Sequence, residues 1–144
     1  MERLHLLARI AGQRVAFDAT AVESVVELEA LAPVPRAPAH VAGLAALRSR
    51  VLTVIDTHAA LGVGRIERGA LMPAIIATVE GHLYGLLVDA IDDVAAIGAQ
   101  PASVRGRLAA GWREIAVGAL EHDGALLLLI DPAALVAGPA ARAA

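Results

Sequence analysis

Short apolar runs recur along this chain, each closed by glycine, proline or aspartate. Runs of that length suit strands and are too short for the helices of a βαβ repeat. Residues 4–10 and 13–17 flank Ala11-Gly12 and read as a hairpin. Residues 71–79 and 82–88 flank Glu80-Gly81 in the same way. Residues 112–121 and 125–130 flank His122-Asp123-Gly124, a favoured tight-turn sequence. Residues 43–47 and 50–55 form another pair, with β-branched Val51, Thr53, Val54 and Ile55 suited to a pleated surface. Residues 23–28 and 90–97 read as further strands. The count is about nine or ten strands, so the chain is expected to be all-β, built as one or two small barrels.

Helical signals are brief. Residues 20–22 read as a short turn capped by Asp18 or Thr20. Residues 56–61 read as one helical turn closed by Gly62, and residues 132–136 as a last one. Pro33, Pro35 and Pro38 mark a loop. Residues 62–69 are a polar loop, and residues 100–111 a looser segment with Arg105, Arg107 and Arg113 close by. No internal repeat stands out.

Composition removes several function classes. The chain has no cysteine, which excludes disulfides, thiolate chemistry and Cys-based metal sites. Its 12 basic residues are all arginine, its formal net charge is −3, and aromatics make up only 2%. That balance leaves no basic stripe and little for base stacking, so nucleic-acid binding is disfavoured. Hydrophobic residues reach 58%, yet the longest apolar runs, 70–79 and 125–130, fall short of the ~20 residues of a spanning helix. The first residues lack the layout of a signal peptide, so a cytoplasmic location is expected.

Candidate chemistry is sparse. The serines, Ser24, Ser49 and Ser103, lack a nucleophile-elbow setting. Asp56 and His58 could be paired metal ligands, but their place before a helical turn fits an N-cap and a first-turn histidine better. His5, His40, His82 and His122 sit at turns and strand ends and are expected at the surface. Asp92 and Asp93 point to opposite faces of a strand and do not share a site. Gly62-Val63-Gly64-Arg65 lacks the lysine and long helix of a phosphate loop. Arg48 stands out, because it lies at the tip of a hairpin between two apolar strands. Alone it reads equally well as a turn residue or an interface anchor.

The stretch Gly43-Leu44-Ala45-Ala46-Leu47-Arg48-Ser49-Arg50-Val51-Leu52-Thr53-Val54-Ile55-Asp56 resembles the central signature of the CheW family of chemotaxis coupling proteins. Gly43, Leu47, Arg48, Val51, Val54, Ile55 and Asp56 match it. Ala46, Ser49, Thr53 and the following Thr57 depart from it. Leu86-Leu87-Val88-Asp89-Ala90-Ile91-Asp92-Asp93-Val94 resembles a second family segment. The opening and closing hairpins are similar as well.

The resemblance implies two interlocked SH3-like five-stranded β-barrels within one domain, residues 1–136, followed by a flexible tail, 137–144. It implies a non-enzymatic adaptor with no cofactor and no metal. Its partners would be the regulatory domain of a CheA-type histidine kinase and the cytoplasmic tip of methyl-accepting chemoreceptors. The partner-binding positions implied are Val22, Ser24, Arg48 and Ser49; the family often has an acidic residue where this chain has Ser24. The matching arginine can act at the interface or as a buried structural arm. The departures at Ala46, Ser49 and Thr53 leave open a divergent scaffold of a non-flagellar chemosensory system.

Overall fold

Four two-residue turns organise the chain. Ala11-Gly12, Glu80-Gly81 and Asp123-Gly124 each hold positive φ at both positions, the combination that matches the twist of a tight hairpin. They join β1 (Arg3–Ile10) to β2 (Gln13–Asp18), β6 (Met72–Val79) to β7 (His82–Leu87), and β9 (Ala116–His122) to β10 (Ala125–Ile130). The fourth, Arg48-Ser49, joins β4 (Val41–Leu47) to β5 (Arg50–Asp56) and has positive φ at Arg48 alone. The computed structural model describes residues 2–98, 101–103 and 108–143, with side chains as far as residue 139. Arg105 and Arg107 lie outside the described residues.

The strands form two five-stranded sheets. One runs β8-β1-β2-β10-β9, with β8 spanning Ala90–Ile97, and the other β3-β6-β7-β5-β4, with β3 spanning Val22–Leu28. Neighbours are antiparallel except β2 with β10 and β5 with β7, which are parallel.

The two sheets repeat one plan. After edge strand β3, the chain loops back to pair Ala32 with Leu44 on the opposite edge; after β8, Ala102 pairs with Ala119. Each sheet therefore curls until the chain leaving one edge meets the other. A hairpin, a helix and a second hairpin complete each unit. In the first unit these are β4–β5, α1 (Thr57–Leu61) and β6–β7. In the second they are β9–β10, α3 (Pro132–Ala143) and β1–β2, so the start of the chain closes the unit that its end begins.

Matched residues share their tasks. Gly43 and Gly118 sit where the looping chain crosses. An added Cβ would come within 2.6 Å of the Ala32 carbonyl oxygen in one case and 2.7 Å of Pro101 Cβ in the other. Gly43→Ala also meets a φ of +152°. We expect it to lower stability by about 1–3 kcal/mol, read as an earlier midpoint in urea unfolding. An unchanged midpoint would show that the Ala32–Leu44 bridge is not needed to hold the sheet closed.

Core burial explains why many runs are continuously apolar. Successive residues on a strand face opposite ways, and here both faces are covered. Leu6, Ala8, Ile10, Phe17, Ile55, Ile75, Leu86, Leu128 and Ile130 enter one central cluster shared by both sheets and the helices. Their neighbours enter two separate clusters. Leu7, Ala16, Leu120 and Leu127 fill one sheet, and Ala45, Val54, Ala74 and Leu87 fill the other.

Three expectations need correction. Residues 112–115 are not strand but part of helix α2 (Ala110–Ile115). Tertiary packing overrides the β pattern there, since Ile115 is buried and a Cβ on Gly111 would lie 2.0 Å from the Leu61 carbonyl oxygen. His5 and His40 are not surface residues; they are 5% and 6% exposed. Each is accommodated by donating to a backbone carbonyl, His5 to Arg3 and His40 to Val136. The last helical turn, expected over 132–136, continues to Ala143 and leaves helical geometry at Gly138.

Candidate partner-binding site

The end of β5 is fixed by one buried carboxylate. Asp56 is 1% exposed and N-caps α1, accepting from the Ala59 amide at 3.1 Å. Both of its oxygens also lie 3.1 Å from the Ile66 amide. The metal-ligand reading of Asp56 and His58 is thereby resolved in favour of the cap, because the His58 ring turns instead to Asp89. Thr57 is fully buried, and its hydroxyl donates to the Leu87 carbonyl at 2.6 Å, so this departure from the CheW signature is satisfied internally. Asp92 and Asp93 separate as expected, one accepting from Arg9 and the other from the Val94 amide. Among the described residues, no group of three or more His, Cys, Asp or Glu could hold a metal ion. No helix there is long and apolar enough to cross a membrane.

At the other end of β5 lies the Arg48-Ser49 turn. Both residues are exposed. Arg48 makes no hydrogen bond or ion pair with any described residue, so the buried structural arm is not what its side chain forms. Two residues on, Arg50 pairs with Glu23 at 2.5 Å. That ion pair ties the base of the turn to the start of β3, where Val22 and Ser24 flank Glu23. The four residues implied by the resemblance thus meet at one end of the sheet, through a contact that none of them makes.

They are not equivalent there. Val22 is half-buried and packs on the central cluster, so it supports the surface more than it presents one. Ser24 is half-buried, and the β3–β6 register shifts between Val22 and Ser24. The acidic residue at this spot is Glu23, set in that irregularity and exposed, since a bulge re-aims the side chain it carries.

The entry into β3 is held by a 3-10 turn, Ala19–Ala21, capped by Asp18. Hydrogen bonding from the Thr20 amide holds the Asp18 carboxyl below its ordinary value of 3.8. The Thr20 hydroxyl and the Arg3 cation add to this, against a partial desolvation penalty. A depressed carboxylate stabilises above its unfolded pKa and loses that contribution as the pH falls through the folded value. Asp18→Asn should therefore flatten the loss of stability below about pH 4, as seen in urea midpoints taken at successive pH values. An unchanged acid limb would rule out the cap.

Sequence reasoning missed a groove further along β3. Val25, Val26 and Glu27 face Pro73 of β6 and Asp89, Ala90 and Ile91 at the start of β8, around a cavity of about 540 Å³. A second hollow of about 300 Å³ continues it past Ile66, Glu67 and Leu71, sharing Pro73 and Asp89. Val25 and Leu71 are 45% and 53% exposed. The groove thus lies where the two sheets meet, with an apolar floor and a rim bearing Glu27, Glu67 and Asp89.

Two interlocked units, an unpaired arginine on a hairpin turn and an apolar groove at their junction describe a docking module. Residues 4–139 match the CheW-like domain model. The chain belongs to the CheW-like domain family. This CheW-like domain is 30% identical over 124 residues to the chemotaxis protein CheW of Rhizobium meliloti, covering 85% of this chain and 80% of that one. It is 31% identical over 127 residues to a probable chemotaxis protein CheW of Rhizobium etli, with 85% and 82% covered. Its fold matches the crystal structure of scaffolding protein TtCheW from Thermoanaerobacter tengcongensis at a TM-score of 0.79, with 22% identity and 91% and 90% of the chains covered.

Proposed function

We propose that this CheW-like domain is a non-enzymatic, cytoplasmic chemotaxis adaptor that couples receptor tips to a CheA-type histidine kinase. The observation that carries the reading is the family match over residues 4–139, with CheW proteins as its relatives. The kinase regulatory domain docks on the end of the sheet bearing Arg48 and Ser49. The receptor's helical hairpin tip lies in the groove between β3 and β8, as an amphipathic helix lies in an apolar groove. Rigid sheets on both sides keep the ordering cost of docking low.

The test is co-precipitation of the purified domain with each partner separately, a kinase regulatory domain and a soluble receptor fragment containing the hairpin tip. Capture of both supports an adaptor. Capture of neither ends the coupling reading. Capture of the kinase domain alone would sink the receptor half of it.

A further inference from the structure

The groove is crossed by a bond network that family likeness does not explain. Asp89 follows β7 and lines both hollows. One of its oxygens, Oδ2, takes two hydrogen bonds from different units. The Ala11 amide, at the tip of the β1–β2 hairpin, donates at 2.7 Å, and His58 Nε2, on α1, donates at 2.8 Å. The Asp89 amide in turn donates to the Arg9 carbonyl at 2.9 Å, and Arg9 Nε reaches Asp92 at 3.1 Å. The β1–β2 hairpin belongs to one unit and α1 to the other. A single carboxylate oxygen therefore joins the two units where the wall of the groove, Ala90 and Ile91, begins.

His58 does not line the groove. Its ring is 18% exposed and its described polar contact is Asp89. Ala11 is held at a φ of +51°, a conformation that costs a non-glycine residue energy, so its amide is aimed at Asp89 by a turn under strain. Such a joint fixes the spacing between β8 and β3 across the groove.

We propose that Asp89 is the positioning residue of the groove, held by His58, and that this joint sets the affinity of whatever helix docks between β3 and β8. The proposal rests on the receptor-docking reading above. His58 acts through Asp89 and touches no partner. Removing either end of the joint lets the β8 wall drift, and partner binding weakens without any contact being lost.

The test compares His58→Ala, Asp89→Ala, their double variant and His58→Gln, using the intact domain and the soluble receptor hairpin-tip fragment. His58→Ala and Asp89→Ala should each weaken binding about tenfold, and the double variant should be no weaker than Asp89→Ala, since coupled residues are not additive. His58→Gln keeps a donor and should bind within about twofold of wild type. Hydrogen exchange of the Ala11 amide should quicken in Asp89→Ala. Full binding by His58→Ala, additive losses in the double variant, or no rescue by glutamine would each overturn the proposal. If the wild-type domain bound no receptor fragment, the receptor reading would fall. The Ala11 exchange rate would still report on the joint.

Discussion

Asp56→Ala should destabilise this domain by about 3–5 kcal/mol, the largest loss expected from any single polar substitution here. The carboxylate is 1% exposed and accepts from two amides, Ala59 and Ile66. Alanine leaves both donors without an acceptor in a space that water does not reach. Each orphaned buried donor costs about 1–3 kcal/mol, and loss of the helix cap adds to that. A domain of this size has roughly 5–15 kcal/mol in hand, so the variant sits near the folding threshold. Asp56→Asn should recover part of the loss: its carbonyl oxygen still serves one amide, but its NH2 group confronts the other. Chemical denaturation of the three proteins checks the order, wild type above Asn above Ala. A fully stable Asp56→Ala would mean that α1 and the 62–66 loop are held by packing alone.

The same aspartate shows how much of the fold could be read from the chain. The hairpins at Ala11-Gly12, Glu80-Gly81 and Asp123-Gly124 were legible, because tight turns demand positive φ and carry glycine at their second position. The cap at Asp56 was legible because it stands before a short helical run and Gly62 closes it. The repeat of two units was not. From Gly43 to Asp56 and from Gly118 to Asp131 the residues keep step, yet few are identical. What recurs is only what the fold demands: a glycine at the chain crossing, a buried leucine at Leu52 and Leu127, Ile55 and Ile130 in the shared core, and an aspartate before a helix. Between those points the environments differ, and the sequences drift. Helix α2 was hidden for another reason. Its fit depends on Gly111 pressing against α1, a contact between segments far apart in sequence.

The site was legible in part for similar reasons. Arg48 showed itself as a charge on a tip between apolar strands. The groove did not, because its walls come from β3, β6 and β8, and no local pattern marks Val25, Pro73 and Ile91 as neighbours. Glu23 was overlooked because the family resemblance directs attention to Ser24, whereas the irregularity in β3 shifts the acidic group by one position.

Arg48→Gly should abolish most kinase binding while leaving the domain at least as stable. The side chain is exposed and forms no described polar contact, so its loss removes nothing that holds the fold. The backbone at Arg48 has a φ of +59°, which glycine adopts without the penalty that arginine incurs. That relief offsets the greater flexibility of glycine in the unfolded chain, and the net change in stability should stay within about 1 kcal/mol. Binding is a different matter. An exposed arginine that docks at the centre of an interface is a frequent hot spot, and its truncation costs about 2 kcal/mol or more, roughly a thirtyfold loss of affinity. Arg48→Lys keeps the charge but not the planar fork, and should fall between the two. Titration calorimetry against the kinase regulatory domain, with urea unfolding of the same samples, separates these effects. A variant that folds as well as wild type and binds as tightly would remove Arg48 from the interface. A loss shared by Gly and Lys alike would point to recognition of the fork, and a loss confined to Gly to recognition of charge.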